Sequence, residues 1–158
     1  IQRLDTAGKK LIGICFGHQL IAAACQEMVA KSDRGWGVGV STNRVIATPG
    51  WMSEKVDELH IIVSHQDQVL TLPSQATVIA QSDFCPYFVV QWNDHFLSIQ
   101  GHPEWAHDYS RALMNKRRAI IPPERLSSGL DSLRIATDNR LFARWIVDFV
   151  GRASALQA

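Results

Sequence analysis

Residues 10–19 read KLIGICFGHQ. The run from Lys10 to Cys15 is short and mostly apolar, which suits a strand buried inside a parallel sheet. His18 to Ala30, HQLIAAACQEMVA, follows at once. It places Leu20, Ile21, Ala24 and Met28 at helical spacing, and its alanines favour helix. At the junction, Gly13-Ile14-Cys15-Phe16-Gly17 has the form of a nucleophile elbow, G-x-S-x-G, with cysteine in place of serine. Such a turn strains its central residue, and glycines two residues to either side leave room for strand and helix to approach. The Cys15 thiol then stands at a helix N-terminus, where the macrodipole and free N–H groups favour a thiolate. The Phe16 N–H points to where an acyl oxyanion would form. An isolated G-x-C-x-G is more often a small buried residue in a tight turn. The strand before it and the helix after it are what favour the nucleophile.

Outward from the elbow, residues 1–7 read as the tail of a helix stopped by Gly8. Ser32 to Gly39, SDRGWGVG, is a glycine-rich loop, Gly37 to Ala47 a strand, and Thr48 to Glu58 a loop around Pro49-Gly50. The runs HIIVS, ATVIAQS, YFVVQW and FLSIQGH are β-like, with Asn93-Asp94 as a hairpin signal between the last two. Asp108 to Arg118 reads as a charged amphipathic helix. Residues 119–137, with Pro122-Pro123 and Ser127-Ser128-Gly129, read as a loop or a broken helix. Asp138 to Val150 is a final helix with an apolar stripe of Leu141, Trp145, Val147 and Phe149. The alternation indicates α/β layering in a single domain over residues 1–158.

The chain's 158 residues are 46% apolar and 20% charged, the profile of a soluble globular domain. A net charge of +1 gives no general drive toward nucleic acid or an anionic membrane. No apolar run approaches the ~18 residues of a membrane span. Three cysteines, Cys15, Cys25 and Cys85, without C-x-x-C spacing argue against a disulfide framework or a structural zinc site. The expected compartment is reducing, the cytoplasm.

A thiol nucleophile needs a base, and the base needs an orienter. Gly101-His102-Pro103-Glu104 follows the run FLSIQ. Pro103 biases His102 toward extended backbone, which puts His102 and Glu104, at i and i+2, on one side. Glu104 can then accept from one imidazole nitrogen while the other faces the thiol. For H-P-E alone, a surface histidine beside a solvated carboxylate is the usual explanation; the elbow makes it the minor one.

GICFGHQ followed by QGHPE, with Ser64-His65-Gln66-Asp67 between them, resembles the class I, triad-type glutamine amidotransferase domain and its S-H-x-D segment. Together with RGWGVGV and HQDQV, these segments are most similar to stand-alone, GMP-synthase-like members, among them the plant γ-glutamyl peptidases. The resemblance runs from about Leu11 to His107. It implies a flavodoxin-like, three-layer α/β domain with a mostly parallel central sheet. It makes Cys15 the nucleophile, His102 the general acid/base and Glu104 its orienter. Phe16 N–H becomes an oxyanion donor, Gln19 a substrate-binding residue, and the backbone of Ser64, His65 and Gln66 the holder of the substrate's amino-acid end. The implied activity is cleavage of the side-chain amide of glutamine through a Cys15 thioester, with release of ammonia and no cofactor or metal. The alternative is a γ-glutamyl peptidase, and from another class a non-catalytic metabolite-binding module. The implied partners are glutamine or a γ-glutamyl small molecule and, in the ammonia version, a synthetase or acceptor subunit.

Two departures stand out. The family commonly has Gly-Gly after the elbow helix, where this chain has Met28-Val29-Ala30-Lys31. Family members also carry further strands, and a loop with a second oxyanion N–H, before an elbow strand that is central in the sheet. The expectation is therefore a domain truncated at its N-terminus, its C-terminal two-thirds. His65, Asp67, His102 and Glu104 match no metal spacing. His18 is expected to cap or pack, Cys25 and Cys85 to be structural, and Lys116-Arg117-Arg118 to be a solvated basic face. Trp36 is either a pocket wall or a packed aromatic.

Overall fold

The computed structural model describes residues 1–152. The elements are α1 (Gln2–Thr6), β1 (Leu11–Ile14), α2 (Phe16–Ala24), β2 (Val29–Lys31), β3 (Gly37–Val45), β4 (Glu58–His65) and β5 (Asp67–Val69). They continue with β6 (Thr77–Gln81), β7 (Val89–Gln91), β8 (Phe96–Ile99), α3 (His107–Lys116), α4 (Pro123–Ser132) and α5 (Asn139–Gly151). The main sheet runs β1-β8-β7-β6-β3-β4, and β2 pairs with β5 in a separate ribbon.

Strand alternation sorts the core into layers. In β8, Phe96 faces Ile21 and Ala22 of α2, together with Val90 and Trp92. Leu97 and Ile99 face the opposite side, against Leu141, Phe142, Trp145 and Phe149 of α5. A sheet buried on both faces by helices is the three-layer arrangement that the family resemblance implies, and it fits the α/β layering read from the β1–α2 pattern. A third cluster, Val40, Ile62, Met114, Ile121 and Leu133, fastens α3 and α4 to β3 and β4.

The sheet differs from expectation in its pairing. It is mixed: β1 and β8 are parallel, whereas β3 pairs antiparallel with β4 and β6, β6 with β7, and β7 with β8. The cause is the succession of hairpin-type connections after Gly37, including the Asn93-Asp94 turn, which leave no crossover helix to bring strands back in parallel. β1 stands at one end of the described order.

Three further corrections are local. The elbow helix stops at Ala24; Gln26 takes φ +64°, and residues 29–31 form β2 instead of continuing the helix to Ala30. Residues 123–132 form a continuous helix, because Pro123 occupies its first turn, where the missing N–H costs nothing. Gly129 sits inside that helix for packing: a Cβ there would meet Val38 Cγ2 at 2.8 Å. In α5, Phe142 is buried while Val147 is 70% exposed, so the stripe runs through Leu141, Phe142, Trp145 and Phe149.

Candidate active site

Cys15 lies between β1 and α2 with φ +49° and ψ −101°. A side-chain-bearing residue rarely adopts this conformation, and holding it costs roughly 1–3 kcal/mol. The surroundings fix it. Cys15 N–H donates to Ile99 C=O at 2.8 Å, extending the β1–β8 ladder, and Gln19 N–H donates to Cys15 C=O at 3.2 Å. A Cβ on Gly13 would meet Ile21 Cδ1 at 2.7 Å and the Gly17 carbonyl at 2.8 Å, whereas one on Gly17 would meet nothing within 4 Å. Of the two elbow glycines, only Gly13 is demanded by close approach.

Burial pushes the Cys15 thiol up from its ordinary value, and the Glu104 charge adds to this. The Phe16 N–H, the Gln100 amide and the Arg117 charge pull the other way without reversing it. The sequence suggested a net lowering by the helix N-terminus; in the folded chain desolvation outweighs it. Cys85 is buried, its thiol pushed up to about 12, and Cys25 is also raised, by burial and by Asp5 and Glu27.

Gln100, directly after β8 and fully buried, donates from Nε2 to Cys15 Sγ at 3.7 Å. Gln19 Nε2 donates to Gln100 Oε1 at 3.3 Å and to Asp67 C=O at 3.0 Å. Gln19 thereby ties the start of β5 to Gln100, and Gln100 ties it to the thiol. In the sequence Gln100 stands within QGHPE with no role of its own; a strand-end glutamine one residue before G-H-P-E was the available signal.

His102 and Glu104 meet as the H-P-E spacing predicts, Nδ1 to Oε1 at 2.7 Å. The carboxylate can only accept, so Nδ1 carries the proton and Nε2 is left for proton transfer. His102 N–H donates to Ile62 C=O at 2.7 Å, anchoring the turn to β4. The imidazole stacks on Trp105 with centroids 3.6 Å apart and planes 8° from parallel, a contact the sequence did not announce. The His102 side chain is 14% exposed and that of Glu104 48%. Cys15 and Gln100 follow the paired strand ends Ile14 and Ile99 and meet at 3.7 Å, so the turn that carries His102 and Glu104 starts beside the thiol. Among the described residues, no hydrogen bond joins Cys15 to His102.

The segment from the end of β4 to Gln66 is more heterogeneous than its expected common role. Ser64 Oγ accepts from Arg117 Nη1 at 3.0 Å. His65 is buried, its Nδ1–H donating to Asp67 C=O at 3.1 Å. Burial, helped by the His102 charge, holds its pKa down at about 4. The Gln66 carbonyl accepts from Ser32 N–H at 2.9 Å. His18 packs as expected: it is buried, within 2.6 Å of Ser98 Oγ. Trp36 lines a cavity of about 170 Å³ between β3 and α4.

Known proteins share this architecture. The family model "Glutamine amidotransferase class-I" matches residues 1–120. γ-Glutamyl peptidase 2 of Arabidopsis thaliana is 32% identical over 138 residues, covering 84% of this chain and 56% of that protein. A glutamine-hydrolyzing GMP synthase subunit of Halobacterium salinarum is 31% identical over 98 residues, covering 61% of this chain and 54% of its own length. The chain spans about half the length of these curated relatives. The crystal structure of a glutamine amidotransferase from Thermotoga maritima superposes with a TM-score of 0.73 at 18% identity, over 96% of this chain and 66% of that one. That likeness gives the flavodoxin-like fold. The family match over residues 1–120 makes the chain a member of the class-I glutamine amidotransferase family.

Proposed function

We propose that the chain hydrolyses a γ-glutamyl amide by way of a thioester on Cys15. The observation that carries this reading is the strained cysteine at the β1–α2 junction with the bonded His102–Glu104 pair in its neighbourhood. Because burial keeps the resting thiol protonated, its proton passes to His102 Nε2 as Sγ attacks the side-chain carbonyl carbon. The Phe16 N–H receives the oxyanion. On collapse the C–N bond breaks, and His102 returns the proton to the departing amine. Water, deprotonated by His102, then cleaves the thioester, releasing glutamate and the Cys15 thiol. Glu104 stabilises the imidazolium in both steps. Gln19 and the backbone of Ser64, His65 and Gln66 hold the amino-acid end of the substrate.

With glutamine the product is ammonia, and a synthetase or acceptor subunit consumes it; likeness to a GMP synthase subunit supports this version. Likeness to γ-glutamyl peptidases supports a second, in which an amino acid or peptide amine leaves and no acceptor is needed. Incubation with glutamine and with a γ-glutamyl dipeptide, under acid quench, tests both. A γ-glutamyl adduct on the Cys15 peptide, absent in Cys15→Ser, supports the reading. A folded protein that forms neither product nor adduct would leave a binding module.

A further inference from the structure

The run Lys116-Arg117-Arg118 reads in sequence as one solvated basic face, but the structure divides it. Lys116 and Arg118 are exposed, and Arg118 bonds Asn115 Oδ1 at 3.2 Å beside it. Arg117, the residue that closes α3, is half-buried and turned inward. Its Nη1 donates to Ser64 Oγ at 3.0 Å, and its guanidinium carbon lies 5.9 Å from the centre of the Trp36 ring. Its charge is felt at the Cys15 thiol.

What Arg117 lacks is an anion. Among the described residues the arginine ion pairs are Arg144 with Glu54 and Arg152 with Asp94. Arg117 has none, and a neutral hydroxyl and an aromatic ring are its partners. A half-buried guanidinium gives up part of its hydration, and a neutral hydroxyl returns less of it than a carboxylate would. Ser64 takes one donor and Trp36 supports the plane, which leaves the rest of the N–H fork in a geometry suited to a carboxylate.

We propose that Arg117 binds a carboxylate of the substrate, with Ser64 and Trp36 fixing the guanidinium for it. This rests on the γ-glutamyl reading above and adds a specificity-determining residue to it. A γ-glutamyl compound offers two such groups. Every substrate has the α-carboxylate of the glutamyl unit; only a γ-glutamyl amino acid or peptide has a carboxylate on the leaving side.

The test compares Arg117→Ala and Arg117→Lys with the parent on glutamine, γ-glutamyl-alanine and γ-glutamyl-alaninamide. Loss of a charge-assisted pair should raise KM by roughly ten- to a hundred-fold with kcat little changed, and lysine should restore only part of it. A rise shared by all three substrates identifies the glutamyl carboxylate. A rise confined to γ-glutamyl-alanine, which the parent then prefers over its amide, identifies the leaving-side group. Unchanged KM on every substrate, or a loss in kcat alone, overturns the proposal. Calorimetry of γ-glutamyl-alanine binding to Cys15→Ala, with and without Arg117→Ala, gives the same comparison without turnover. Equal affinity, or no binding to either, overturns it even if the parent proves inactive.

Discussion

Gln100 Nε2 lies 3.7 Å from Cys15 Sγ because both residues stand one step beyond paired strand ends. β1 and β8 are parallel with Ile14 opposite Ile99, so the residues that follow emerge side by side at the same sheet edge. The register that delivers Gln100 to the sulfur also starts the Gly101-His102-Pro103-Glu104 turn beside the elbow. Two motifs distant in sequence share a site through this one strand pairing.

Gln100→Leu should therefore weaken the thiolate specifically. It removes a donor to sulfur and one of the two acceptors of the Gln19 amide, which keeps Asp67 C=O. Iodoacetamide labelling of Cys15 should shift to higher pH and, at neutral pH, slow by about tenfold, the worth of a hydrogen bond to a charged group. An unchanged pH profile of labelling would show that the amide does nothing for the sulfur.

Glu104→Gln should lower kcat by roughly 10², short of the roughly 10⁴ lost when the buried carboxylate of a Ser-His-Asp triad is replaced. The difference follows from placement. Glu104 is 48% exposed, so its charge is partly screened, and the His102 ring is separately gripped by Trp105. His102→Ala should cost more, since in the proposed mechanism it removes the proton carrier. Steady-state kinetics of both variants decide it; equal activity in Glu104→Gln and the parent would mean that Trp105 alone orients the imidazole.

Stability should fall as pH drops from 7 toward 5. His18 and His65 are buried, and their pKa values are held down to about 3 and about 4, chiefly by desolvation. In the unfolded chain each takes a proton near the ordinary histidine value of about 6.5. Across that window the unfolded state binds more protons, so the contribution present above the unfolded pKa is lost on acidification. Urea midpoints at the two pH values measure the fall, and His18→Gln should make it shallower. An identical slope would remove His18 from the account.

The elbow and the His102–Glu104 pair were legible because each is fixed by a few consecutive residues and a dihedral preference. The α2–β1–β8 layering was legible because β1 and β8 are short continuous apolar runs and the stretch between β1 and β2 carries apolar residues at helical spacing. The mixed sheet was not, since strand direction depends on connections that periodicity does not encode. β2 and β5 are three residues each and exist through their mutual pairing. Helix α4 hid behind Pro122-Pro123 and Ser127-Ser128-Gly129, whose breaker signals are overridden by first-turn placement and by packing on β3. Trp105 and Arg117 gained their positions from tertiary contacts that nothing local marked, and Gln100 was marked only by its place at a strand end before G-H-P-E.

The elbow motif writes its two glycines as equals, and substitution should separate them. At Gly13 an added methyl meets Ile21 Cδ1 at 2.7 Å and the Gly17 carbonyl carbon and oxygen at 2.8 Å. The side chain could turn aside, but the backbone could move only by opening the turn that holds Cys15 at φ +49°. Gly13→Ala should cost about 1–3 kcal/mol, the range for overpacking a well-filled interior, and should depress activity further by displacing the sulfur. At Gly17 nothing lies within 4 Å, and the residue is inside α2. Gly17→Ala should gain about 0.5–1 kcal/mol from helix propensity and leave the elbow in place. Urea unfolding midpoints and hydrolysis rates of the two variants, measured side by side, check the contrast. Equal destabilisation by both would mean that the turn is set by glycine freedom on each side and not by the β1–α2 contact at Gly13.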